Sequence, residues 1–150
     1  MKVVIQRVRK ASVSIQNQVH SSISGGLMIL AGYEPADTKE DVDWVCSKIV
    51  NLRVFDDEAK VSNLSVMEAN GEILFVSQFT LHASTKKGNR PSYINAAKPE
   101  VAIPLYEYSI LKLEELMHQK ISTGVFGADM QLAIVNDGPL TIIIDSKNKI

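Results

Sequence analysis

Cysteine is almost absent. Cys46 is the only one among 150 residues, which excludes a disulfide framework and a cysteine-rich metal site and points to a reduced, cytoplasmic setting. Long apolar runs are missing too. None approaches the roughly 18 residues of a membrane span, and Met1-Lys2-Val3-Val4-Ile5-Gln6-Arg7 turns polar too early for a secretory leader, so no membrane partner is expected. No HExxH, CxxC or G-x-S-x-G pattern occurs. Gly25-Gly26 and Gly124/Gly127 match neither the P-loop nor the dinucleotide-binding pattern. No cofactor and no metal is therefore expected.

Charge of one sign is also missing locally. Net charge is −1, which argues against a generic nucleic-acid binder. Yet residues 1–33 and 73–99 contain no acid at all, whereas residues 34–72 carry ten acids against four bases. Lys2, Arg7, Arg9 and Lys10 in the first segment, with Lys86, Lys87, Arg90 and Lys98 in the second, could fold onto one positive face. They could equally be solvated loops.

A hydrophobic content of 45% with 22% charged residues is ordinary for a globular chain. A single domain of this length buries roughly 70% of its unfolded surface and needs no covalent staple. Val3–Val8 and Ala11–Ile15 read as a half-buried hairpin, and Leu27–Ala31 as another strand. Thr38 caps a helix with Asp41 three residues on; Val42, Val45, Cys46, Ile49 and Val50 form its apolar stripe. Asp56-Asp57-Glu58 reads as a turn, its three adjacent carboxylates pointing apart without EF-hand spacing. Glu72–Leu81 reads as a strand, followed by a long polar loop from His82 to Lys98, a length usually functional or mobile. A second helix is expected over about Glu100 to Lys120, with Ala102, Tyr106, Ile110, Leu113 and Met117 inward. Leu132–Val135 and Leu140–Ile144 flank Asn136-Asp137-Gly138-Pro139 as a hairpin would. The order β-β-β-α-β-α-β-β gives one α/β layered domain, residues 1–150, with two helices covering one side of curved sheets.

Ser77, Gln78, Phe79 and Thr80 close a hydrophobic strand beside a basic loop, a position where α/β folds present reactive groups. A hydroxyl nucleophile needs a base within hydrogen-bonding reach, and His20, His82 and His118 have no triad spacing. Ser77 and Thr80 could simply be strand residues. If the chain is an enzyme, catalysis leans on oriented backbone groups or on the substrate. Lys86-Lys87-Gly88-Asn89-Arg90 is the best candidate for phosphate contact.

Val76-Ser77-Gln78-Phe79-Thr80-Leu81 and Val135-Asn136-Asp137-Gly138-Pro139-Leu140-Thr141 together resemble the two signature motifs of D-aminoacyl-tRNA deacylases. Val4–Val8, Ala11-Ser12-Val13, Asn51–Phe55, Lys87–Ser92 and Phe126–Met130 are also similar to family segments, in family order, so the resemblance covers essentially the whole chain. Val125 stands where the family often has arginine, and Gln16-Asn17-Gln18 lacks the usual turn glycine.

The resemblance implies a three-layer β/β/α fold with curved mixed sheets and two helices, a homodimer with active sites at the subunit interface. It implies a metal-free esterase that cleaves a D-amino acid from the 3′-terminal adenosine of tRNA and acts on glycyl-tRNA as well. Gly138 and Pro139, joined by a cis bond, would reach into the partner's site and aim carbonyl oxygens at the α-ammonium group, so that an L side chain collides with main chain. Ser77, Gln78, Phe79 and Thr80 would form the catalytic stretch, with the tRNA 2′-hydroxyl aiding the attacking water. Arg7 would brace the motif, Asn136 and Met130 would line the substrate site, and Lys86, Lys87 and Arg90 would contact tRNA. The rivals are a non-catalytic aminoacyl-tRNA-binding module and a purely structural dimer.

Overall fold

The computed structural model describes all 150 residues, Met1–Ile150. The elements are β1 (Lys2–Ile15), β2 (Gln18–Ile23), β3 (Gly26–Gly32), α1 (Lys39–Asn51), β4 (Phe55–Asp56), β5 (Ser62–Leu64), β6 (Glu72–Ser77), a 3-10 turn at Phe79–His82, α2 (Pro99–Met117), β7 (Ser122–Thr123) and β8 (Gln131–Asp145). β4 and β5 form a ribbon of their own, and the other six strands make one mixed sheet. No helix is long and apolar enough to cross a membrane.

β1 organises the sheet. Its first half pairs antiparallel with β3 and its second half with β2, while β8 runs along its opposite edge from Lys2↔Asp145 to Ser14↔Gln131. β3 and β6 are parallel, which requires a long crossover; α1 and the β4–β5 ribbon fill it. β7 extends β6. Ser21 Oγ donates to Thr123 O at 2.7 Å and Ser122 Oγ to Ser22 O at 3.4 Å, bringing β2 against β7 and nearly closing the sheet on itself.

Alternation along the central strands produces two cores. Leu27, Ile29 and Ala31 of β3 and Ile73 and Phe75 of β6 face α1 and α2, where they pack with Val42, Val45, Ile49, Tyr106 and Leu113. Met28, Leu74 and Val76 face the other way, onto Val8, Ala11 and Val13 of the far half of β1 and onto Met130, Leu132 and Ile134. The layers are therefore β, β and α, as expected. With both faces buried, β3 and β6 read as unbroken apolar runs.

Several local expectations are corrected. Val3–Val8 and Ala11–Ile15 are one strand; Val8 to Ala11 holds no turn former, and register slips at Gln6/Val8 and Val8/Lys10 bend the strand from one core to the other. The real turn is Gln16-Asn17, with φ of 51° and 62°, the paired positive values of a tight hairpin turn made here without glycine. β6 ends at Ser77, where the chain turns into the 3-10 segment, and α2 ends at Met117 with His118 left-handed at φ 54°. Leu132–Val135 and Leu140–Ile144 do not pair with each other. Both belong to β8, because β1 is long enough to hold each in turn. Val8 pairs with Asn136 and Gln6 with Thr141, so two steps along β1 match five along β8 and the surplus residues bow outward.

Candidate active site

The parallel pair decides where a site can form. Ala31 is in register with Ser77, and Gln78 N donates to Ala31 O at 2.7 Å, so β3 and β6 end at one level. Beyond their carboxyl ends, where open α/β sheets hold ligands, lies a cavity of about 300 Å³. Ala31, Gly32 and Tyr33 line it from β3 and its exit, Val76, Ser77, Gln78 and Phe79 from β6 and its exit, Ala97 and Ala102 from around the start of α2, and Phe126–Met130 with Leu132 from the approach to β8 and its first residues. Gly32 permits this crowding: a Cβ there would lie 2.7 Å from Gln78 O and 3.1 Å from Leu81 Cβ and His82 Cδ2.

Gln78 and Phe79 line the cavity where the chain leaves β6 for the 3-10 turn, and Thr80 follows on that turn. A helical turn leaves its opening N–H groups without acceptors inside the turn, and the Phe79 and Thr80 amides open this one. Gln78 Nε2 donates to Thr80 Oγ1 at 2.6 Å, which fixes the hydroxyl as an acceptor and leaves its proton to point elsewhere. No base stands ready to take that proton. His82 is buried, with Nδ1 3.8 Å from Glu34 Oε2 and Nε2 without a partner. The Tyr33 hydroxyl hydrogen-bonds Ser109 Oγ at 2.8 Å, and burial pushes its pKa well above the ordinary value. Asp129 is the only carboxylate of the lining, exposed and free of any hydrogen bond or ion pair.

The other named residues gather elsewhere. Gly138 and Pro139 sit on the exposed bulge of β8, joined by a cis bond, and neither they nor Arg7 and Asn136 line the cavity of their own chain. Arg7 holds the bulge from below. Its Nε donates to Asp137 O at 3.2 Å and lies 3.4 Å from Asp137 Oδ2; Nη1 donates to Val54 O and lies 3.8 Å from Asp56 Oδ1. Gly138 has φ +121°, and a Cβ there would meet Arg7 Nη2 at 3.0 Å and Leu140 N at 3.1 Å, so only glycine fits without displacement. Lys86, Lys87 and Arg90 are exposed on a loop pinched by reciprocal bonds between Ser84 and Ser92 at 2.8 and 2.9 Å. The Asp57 carboxylate is committed to its own turn, accepting from Ala59 N, Val61 N and Asn63 Nδ2, and nowhere do three or more His, Cys, Asp or Glu side chains cluster as metal ligands.

The structure thus brings together Ser77, Gln78, Phe79 and Met130, with Thr80 on the same turn. It adds Gly32, Tyr33, Phe126 and Asp129, which the sequence reading does not single out. They come from segments far apart in the chain. The one local signal is the glycine-bearing run Phe126–Met130, from which only Met130 is named in advance.

A largely apolar cavity beyond parallel strand ends, with no nucleophile–base pair in its lining, defines an α/β protein with a ligand-sized site at the edge of its sheet. The family described as D-Tyr-tRNA(Tyr) deacylase matches residues 4–145. The D-aminoacyl-tRNA deacylases of Flavobacterium psychrophilum and Bacteroides thetaiotaomicron are 60% and 59% identical to this chain over 149 residues, covering 99% of each chain. Among solved structures, the c-Myc DNA Unwinding Element Binding Protein superposes with TM-score 0.92 at 41% identity, over 97% of this chain and 98% of that one. A probable eukaryotic D-amino acid tRNA deacylase superposes with TM-score 0.83 over 95% and 97% of the two chains, and at 16% identity it shows the shared fold. The chain belongs to the D-Tyr-tRNA(Tyr) deacylase family, and it is a hydrolase of that family.

Proposed function

We propose that the protein hydrolyses the ester of D-aminoacyl-tRNA to free tRNA and D-amino acid, acting in the cytoplasm as a homodimer that leaves L-aminoacyl-tRNA intact. The observation that carries this reading is the separation of its two parts. Ser77, Gln78 and Phe79 line the cavity, while Gly138-Pro139 stands exposed on a braced bulge outside it. A second copy supplies what each site lacks.

In this reading the terminal adenosine enters the cavity and the ester carbonyl accepts from the Phe79 and Thr80 amides, which stabilise the charge that develops on its oxygen. The partner's Gly138 and Pro139 carbonyls take the α-ammonium group. With ester and ammonium both fixed, a D side chain points to solvent and an L side chain meets main chain. Glycyl-tRNA, having no side chain, escapes rejection. Water attacks the carbonyl carbon, the ribose ester oxygen departs, and the adjacent ribose hydroxyl passes the proton from water to that oxygen. Thr80 has no base to make it a nucleophile, which favours this substrate-assisted route. Asn136 and Met130 border the bound aminoacyl group, and Lys86, Lys87 and Arg90 contact tRNA phosphates.

The test is ester loss from D-tyrosyl-tRNA and L-tyrosyl-tRNA. D-cleavage should exceed L-cleavage by at least about a hundredfold, the ratio a clash of ~3 kcal/mol produces. Equal rates overturn the handedness filter, and no cleavage of either leaves an aminoacyl-tRNA-binding module. Thr80→Ala should retain substantial activity; complete loss with folding and tRNA binding intact restores the nucleophile.

A further inference from the structure

We propose that Phe79 and Tyr93 form a stacking platform for the unpaired nucleotides on the 5′ side of the terminal adenosine, with Lys86, Lys87 and Arg90 neutralising their phosphates. The proposal rests on the reading of the substrate as an aminoacyl-tRNA and assigns the part of that substrate which lies outside the cavity.

Phe79 and Tyr93 are 54% and 44% exposed, the only rings among the exposed large apolar side chains. Their centroids are 5.0 Å apart at an interplanar angle of 71°, the edge-to-face arrangement aromatic pairs prefer. Each fixes the other while leaving ring surface open to water. Two features point to nucleic acid as its occupant. Phe79 also lines the cavity, so a strand leaving a bound terminal nucleoside runs directly onto the pair. Tyr93 continues the segment carrying Lys86, Lys87 and Arg90, none of which is in an ion pair, within a stretch of 27 residues (73–99) lacking any acid. Aromatic faces beside unpaired cations bind single strands without reading their sequence, since every base has a stacking face. A substrate class differing in its amino acid but sharing its tRNA end suits that tolerance.

The test crosses a substitution with a truncated substrate. Tyr93→Ala should lower kcat/KM on D-tyrosyl-tRNA about tenfold, mostly through KM, as expected for one lost base stack. Cleavage of D-tyrosyl-adenosine, which has no preceding nucleotides, should fall far less than that, and Tyr93→Phe should restore activity on tRNA. Lys86→Met and Arg90→Met should each reduce the slope of log kcat/KM against log salt by about 0.7 on tRNA only. Equal losses on both substrates, or no loss on either, overturn the platform. So does a fall in sedimentation mass of Tyr93→Ala, which would assign the patch to a second protein copy. Failure of wild-type protein to cleave D-tyrosyl-adenosine or D-tyrosyl-tRNA at all refutes the underlying hydrolase reading instead.

Discussion

Replacing Arg7 with methionine keeps the aliphatic stem and removes the guanidinium that ties the β8 bulge to the rest of the molecule. Two hydrogen bonds are lost, Nε to Asp137 O at 3.2 Å and Nη1 to Val54 O, together with ion pairs of 3.4 and 3.8 Å to Asp137 and Asp56. The Arg7 side chain is only 11% exposed, so the two carbonyls are left partly buried without their donor. Bonds to a charged group contribute about 1.5–3 kcal/mol each, and removing a buried charge returns part of its desolvation cost. The net loss should be ~2 kcal/mol. For a domain of this size that lowers Tm by roughly 4–8 °C, which a melt followed by circular dichroism would register. Activity should fall further than stability does, by more than about tenfold in kcat/KM on D-tyrosyl-tRNA at 25 °C, because the carbonyls of Gly138 and Pro139 would no longer be held at one angle. A variant that melts early yet retains wild-type kcat/KM when folded would show that Arg7 supports the fold and not the site. An unchanged Tm would refute the bond-by-bond argument itself.

Three further outcomes follow from the same geometry. Gly32→Ala places a methyl group 2.7 Å from Gln78 O, and displacing that carbonyl shifts the adjoining amides; kcat should fall at least about tenfold, and crystallography should show the 3-10 turn moved, a wild-type kcat being the refuting result. Burial, with Asp43 adding to it, pushes the Cys46 thiol up to about 12; a thiol-reactive dye should label native protein only at its unfolding rate, and prompt labelling in buffer would contradict this. Burial works to raise the Asp41 carboxyl, but its bonds to Lys147, Ser146 and the Thr38 amide outweigh that and hold it below the ordinary 3.8. Because the folded value is depressed, this contribution is present above about pH 4 and is lost as pH falls through the folded value. Urea midpoints between pH 6 and 2 should therefore drop less steeply for Lys147→Met than for wild type, and parallel curves would sink the assignment.

How much of this was legible in the chain depends on range. The apolar runs Leu27–Ala31 and Ile73–Val76 announce strands buried on both faces, and the stripe Val42, Val45, Cys46, Ile49 and Val50 announces α1, because hydrophobic period is a local property. The stretch Ser77–Thr80 could be placed at a strand exit beside a basic loop for the same reason. The β8 bulge could not. Four turn-forming residues between two strands have a hairpin as their local optimum, and only β1, 130 residues away at Arg7–Asp137, holds the two halves in line and turns the intervening residues outward.

The sequence by itself determined both helices and the main apolar strand segments, which of their faces are apolar, and which short runs resemble a known family, since each of these depends on neighbours within a few positions. Only the tertiary structure decided that Gly32, Tyr33, Phe126 and Asp129 join Ser77–Phe79 around one cavity. Those contacts are made between segments whose proximity is set by the packing of two cores on opposite faces of β3 and β6, and no local pattern encodes a distance of that kind.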